Sequence, residues 1–157
     1  MDTLMILRKA TIADLELLIN LRLDFLNDGN DHITTEETTA IRFQLDTYYR
    51  KYLPDSFIAV LAEIDDKVVA TAFLAISEKP ANLNFITGKT GTLLNVFTYP
   101  SYRGRGVATQ VIREIIAEAK KLGVSAIELL ATPAGKPLYQ KFGFSEPKHT
   151  AMRLKLV

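Results

Sequence analysis

The sequence predicts an α/β fold in which a mixed sheet is covered by helices, and three observations predict it. Strand-like runs cluster in mid-chain, helical amphipaths stand before and after that cluster, and a last pair of strand-like runs brackets a short helical pattern near the end. With 157 residues, 48% hydrophobic and 24% charged, the chain can bury one proper core. No linker, repeat or low-complexity tract divides it, so the expectation is one domain over residues 1–157.

The elements follow in order. "LMILRKA" (Leu4 to Ala10) reads as a short strand. Thr11 then suits an N-cap, with Asp14 in the acidic first turn, and Leu15, Leu18, Ile19, Leu23 and Leu26 keep helical spacing. "NDGND" breaks this helix, and "TTEETTAIRFQLDTYYRKYL" resumes a helical pattern until Pro54. It is the least regular amphipath of the chain, which suits a wall or lid. "SFIAVLAEI" and "KVVATAFLAI" flank Asp65 and Asp66 as a hairpin would, and Thr92 to Tyr99 form a third strand-like run. The next helix carries Val107, Val111, Ile112, Ile115, Ile116, Ala119 and Leu122 on one face and stops at Gly123. "SAIELLA" reads as a strand, "GKPLYQKF" as a short helix closed by Gly143, and "TAMRLKLV" as a terminal strand.

Composition removes several kinds of chemistry. There is no cysteine and only His32 and His149, so thiolate and histidine metal sites are not expected. No apolar run approaches the roughly 18 residues needed to cross a bilayer, and Asp2, Arg8 and Lys9 do not follow a signal-peptide layout. A cytoplasmic protein without a membrane partner is the expectation. Residues 1–66 hold 6 Lys/Arg against 13 Asp/Glu, net −7, whereas residues 67–157 hold 13 against 5, net +8. Such halves would favour a cation on one wall of a cleft and an anion on the other, or form two solvated surfaces.

The junction "YPSYRGRGVATQVI" (Tyr99 to Ile112) sets glycines and arginines between a strand and a helix. A glycine-rich loop entering a helix is an anion site, because unpaired amides and the positive dipole end meet there. A dinucleotide fingerprint fails, since Thr109 stands where its third glycine belongs. A phosphate loop at Gly88-Lys89-Thr90 fails too, with Leu83 in place of the required glycine. Arg103-x-x-Gly106-x-Ala108 resembles the pyrophosphate-binding signature of the GCN5-related N-acetyltransferase (GNAT) family. The resemblance covers nearly the whole chain, with "LRKATIADLELL", the central hairpin, "LLNVFTYPSYRGRGVATQVI" and "PLYQKFGF" in the family's order.

That resemblance implies a mostly antiparallel central sheet with helices on both faces, the acyl-CoA N-acyltransferase fold, and acetyl-CoA as cosubstrate without a metal. It places the pyrophosphate on the backbone amides of Gly104, Arg105, Gly106, Val107, Ala108 and Thr109, with positive field from Arg103 and Arg105. Val96, Phe97 and Thr98 would pair with the pantetheine arm, and the Val96 amide would face the thioester oxygen. Tyr139 matches the family tyrosine that protonates the departing thiolate; a core aromatic beside Phe142 and Phe144 is the competing reading. Thr132 stands where many members carry a cofactor-contacting asparagine. Asn95 has two readings, a side chain directed at the acceptor or a hydrogen-bonded structural amide. The family's glutamates fall on Thr92 and Ile127 here, so no base is assigned, and Glu63, Glu78, Glu128 and water remain candidates.

The activity implied is direct acetyl transfer to a primary amine of a small molecule or peptide; the alternative is a non-catalytic acyl-CoA-binding sensor. Tyr139 distinguishes them, since a pure binder needs no acid at the sulfur. Nucleic-acid binding lacks an aromatic-rich basic motif. A homodimer is compatible with the resemblance. Asp28, Asp31, Glu36 and Glu37, followed by Tyr48, Tyr49 and Tyr52, lead to the expectation of a cationic acceptor.

Overall fold

The computed structural model describes residues 4–29 and 32–157, so Asp31 lies outside the described residues. β1 (Met5–Lys9) is followed by a 3-10 turn at Ile12–Asp14, started by a reciprocal capping box between Thr11 and Asp14, and by α1 (Leu15–Asn27). α2 (Thr35–Tyr52) starts with a second box: Thr34 Oγ1 accepts from the Glu37 amide and Glu37 accepts from the Thr34 amide, each at 3.1 Å. β2 (Phe57–Ile64) and β3 (Lys67–Glu78) are joined by Asp65 and Asp66 at φ 52° and 62°, the left-handed pair of a tight hairpin turn. β4 (Lys89–Thr98), α3 (Val107–Lys121), β5 (Ala126–Glu128) and α4 (Lys136–Lys141) complete the series.

The strands lie in the order β1-β2-β3-β4-β5, with three antiparallel pairings and a parallel one between β4 and β5. Strand alternation sorts the core into two layers. Ile58, Val60, Ala62 and Ile64 of β2 join Val107, Val111 and Ile115 of α3. Phe57, Ala59 and Leu61 of the same strand join Leu18, Ile19 and Tyr49 of α1 and α2. Helices therefore cover both faces, as expected, and each charge-biased half of the chain supplies one helical layer.

Two expectations change. β4 starts at Lys89 rather than Thr92, because Gly91 is not a turn but a close approach: a Cβ there would lie 2.7 Å from Leu74 Cδ1. The terminal strand over 150–157 is overturned. Residues 145–157 carry no strand and are exposed throughout, with Met152 at 93%, Leu154 at 82% and Leu156 at 84%. Alternation alone does not make a strand; a hydrogen-bonded neighbour does, and this segment has none within the described residues.

Candidate active site

The site starts from an irregularity in β4. Phe97 faces Thr71 and Leu94 faces Phe73 across the β3 ladder, so Asn95 and Val96 together oppose Ala72. This is a β-bulge, and Asn95 takes φ 53° to make it. The bulge is pinned from inside. Thr71 Oγ1 donates to the Asn95 carbonyl at 2.6 Å and accepts from Asn95 Nδ2 at 3.1 Å, while Arg22 Nη1 donates to Asn95 Oδ1 at 3.4 Å. Asn95 is 2% exposed, so the structural-amide reading is the correct one. On its other edge, β4 pairs with β5 only from Thr90 to Thr92. Beyond that point the strands part, leaving the β5-facing edge of residues 94–98 without a strand neighbour among the described residues.

β4 leads through a 3-10 turn at Pro100–Tyr102 into the loop that precedes α3. Gly104 and Gly106 stand at φ 77° and 76°, and a Cβ on either would meet nothing within 4 Å. Glycine is required here by backbone conformation, and the space beside it is open. Gly106 is the N-cap of α3 with no side-chain cap, and the amides of Gly104 to Thr109 have no backbone acceptor among the described residues. Free amides at a helix start, next to backbone that a ligand can approach, fit a pyrophosphate. The arginines behave differently from one another. Arg103 Nε donates to the Thr98 carbonyl at 2.7 Å, Nη2 reaches Asp28 at 3.2 Å, and the guanidinium lies over Phe97. It staples loop to strand, and it occupies the Thr98 carbonyl. Arg105 is exposed and stacks on Tyr102.

Tyr139 projects from α4 and packs edge-on against Phe144, with ring centres 5.9 Å apart, beside the α3 core layer. Gly135 makes room for it, since a Cβ there would come within 3.3 Å of both Tyr139 Cε2 and Thr132 Oγ1. Thr132 Oγ1 accepts from the Gly135 amide at 3.1 Å, so Thr132 caps this turn. The Tyr139 hydroxyl has no hydrogen-bond partner among the described residues and is not sealed from solvent. Half-burial pushes its pKa up, which keeps the phenol protonated at neutral pH.

The three candidate carboxylates separate. Glu63 is held by Arg8 at 2.6 Å. Glu78 is the last residue of β3, opposite Lys89 of β4, and is exposed. Glu128 is the parallel partner of Thr92, so its Cβ lies on the same sheet face as the position where the family glutamate falls. Two of the acids expected to form a cationic-acceptor wall are otherwise engaged, since Asp28 pairs with Arg103 and Glu37 caps α2, while Glu36 is exposed in the first turn of α2. Tyr48, Tyr49 and Tyr52 do cluster, against Phe57, but the charged residues beside that cluster are cations: Lys51 over the Tyr52 ring at 5.2 Å and, on the inner side, Arg22, which the sequence reading did not select. An arginine at an apolar helical position, between Leu21 and Leu23, was the available signal.

Comparison with known proteins agrees with this geometry. The acetyltransferase (GNAT) family model matches residues 24–144. The predicted acetyltransferase of Clostridium acetobutylicum, solved with acetyl-CoA, superposes with a TM-score of 0.85 at 29% identity, covering 96% of each chain. A GCN5-related N-acetyltransferase of Ralstonia eutropha JMP134 superposes with a TM-score of 0.81 at 25% identity, covering 96% of this chain and 98% of that one. A curated relative, the probable glucosamine 6-phosphate N-acetyltransferase 2 of Oryza sativa subsp. japonica, is 30% identical over 100 residues, 60% of this chain and 57% of the relative's length. With more than half of its length under the family model, and with the bulged strand and open helix start in place, the chain belongs to the acetyltransferase (GNAT) family.

Proposed function

We propose that this protein transfers the acetyl group of acetyl-CoA directly to a primary amine of a small molecule or peptide. The observation that carries the reading is the uncapped start of α3, whose free amides adjoin the unpaired edge of β4. The Clostridium neighbour solved with acetyl-CoA and the rice relative named for an amino-sugar phosphate support it. Acetyl-CoA, when bound, supplies the thioester. The amides of Gly104 to Thr109 hold its pyrophosphate, and the open edge at Val96 and Phe97 orients the pantetheine arm. Thr98 supports the slot through the carbonyl that Arg103 fixes.

The Val96 amide, displaced from the ladder by the bulge, stabilises negative charge developing on the carbonyl oxygen. As the amine nitrogen bonds to the carbonyl carbon and the carbon–sulfur bond breaks, Tyr139 gives its proton to the thiolate. The amine's own proton leaves to water on the face where Glu128 stands. A sensor that only binds acyl-CoA has no use for a free phenol. Within this reading the protein acts without nucleic acid or membrane, and a homodimer is compatible with it; no helix of the described residues is long and apolar enough to cross a membrane. The test is Tyr139→Phe. Turnover falls by roughly one to three orders of magnitude while calorimetry shows unchanged CoA affinity. Full turnover under conditions where chemistry limits the rate returns Tyr139 to a packing role.

A further inference from the structure

We propose that the acceptor carries an anionic group, a carboxylate or a phosphate, which pairs with Arg22. This rests on the acetyl-transfer reading above and specifies its substrate. A cavity of about 220 Å³ lies between α2 and the sheet, lined by Arg22, Gln44, Tyr48, Tyr49, Phe73 and Leu94 among others. Leu94 immediately precedes the bulge, so the cavity adjoins the β4 segment proposed to hold the thioester.

Arg22 is anomalous among the arginines. Arg8, Arg42, Arg50 and Arg103 each have a carboxylate within 3.2 Å, and Arg105, Arg113 and Arg153 stand exposed in solvent. Among the described residues Arg22 alone is withdrawn from water with no acid beside it. Its recorded contacts are the neutral Asn95 oxygen at 3.4 Å and the Phe25 ring at 5.7 Å. Desolvation lowers its pKa, a cost that no carboxylate offsets. Tyr49, also on the cavity wall, has its pKa raised by burial and stays neutral, so it offers no countercharge. A guanidinium presents a planar fork of donors that matches carboxylate and phosphate oxygens. Among the described residues it is the one charged group in a cavity whose other walls, Gln44 apart, are aromatic and apolar, and it selects an acceptor whose amine points to β4 and whose anion points to α1. This reverses the charge preference read from the N-terminal acids.

The test uses primary amines on linear and ring scaffolds, each in carboxylate, phosphate-ester and neutral amide forms. Because the chain has no Trp and Tyr48 and Tyr49 line the cavity, binding is read from tyrosine emission without acetyl-CoA, and turnover separately. The wild type binds one anionic form about 10- to 100-fold more tightly than its neutral counterpart; which anion wins separates carboxylate from phosphate. Arg22→Gln loses that difference and Arg22→Lys keeps part of it. Equal or tighter binding of the neutral forms, or an unchanged preference in Arg22→Gln, overturns the proposal. Arg22-dependent anion binding with no turnover of any amine leaves the anion site standing and removes acetyl transfer instead.

Discussion

Helices α2 and α3 start in opposite ways. α2 closes its first turn with its own side chains, Thr34 and Glu37, and Thr38 Oγ1 also donates back to the Thr34 carbonyl at 2.9 Å. α3 starts on a left-handed glycine with no side-chain cap. The difference follows from what each helix buries. α2 places only Leu45 and Tyr49 fully in the core, whereas α3 commits Val107, Val111, Ile112, Ile115 and Ala119. A helix weakly held by burial needs its caps; a helix strongly held by burial can leave its amides free for a ligand. The open start is therefore financed by the apolar face of the same helix.

The comparison can be broken most directly at Gly106. Gly106→Val puts a β-branched side chain at φ 76° and into the open space beside the amides. CoA affinity by calorimetry falls about 100-fold, the equivalent of one or two charge-assisted hydrogen bonds at roughly 1.5–3 kcal/mol each. Unchanged affinity means the loop does not hold the pyrophosphate. Gly106→Asn sharpens the point, because asparagine tolerates the left-handed region and brings its own oxygen to the helix start. CoA binding drops about tenfold with little change in melting temperature. Thr34→Ala at α2 gives the reverse pattern: about 1 kcal/mol of stability is lost in urea unfolding and CoA affinity stays as it was.

The smallest effect separates the two starts by pH. Hydrogen bonds from Thr34 lower the Glu37 pKa. A depressed carboxylate stabilises the fold fully above its unfolded value, about 4.3, and that contribution is lost as pH falls through the folded value. Hydrogen-exchange protection in the first turn of α2 declines between pH 5 and pH 3, and Glu37→Gln flattens the decline. The first turn of α3, Val107 to Gln110, contains no titrating side chain and shows no such step.

Local chemistry was the legible part of this chain. The capping signal at Thr11, the Asp65-Asp66 turn and the apolar stripe of α3 each act through neighbours in sequence, so their elements fall where the residues place them. The glycine loop and Tyr139 were legible for a related reason, since a motif of close spacing marks both. What depended on distant partners was hidden. Asn95 took its role from Thr71 and Arg22, and Gly91 from Leu74, none of which its own neighbourhood announces. Residues 150–157 show the converse error, in which a sound period-2 pattern met no ladder among the described residues.

The bulge in β4 also works as a frameshift in the sheet's two-sided code. Ahead of it, Leu93 packs with the α3 layer and Leu94 with the α1–α2 layer. After it the parity is exchanged: Val96 turns to the α3 layer, while Phe97 meets Phe25 and Tyr99 donates to Asp24, both on α1. Straightening β4 with every residue kept would set Val96 opposite Thr71 and Phe97 opposite Ala70, and so send Phe97 and Tyr99 through to the wrong side. The irregular strand is thus proofread by the core on both of its faces, and the chain cannot straighten β4 without unpacking α1.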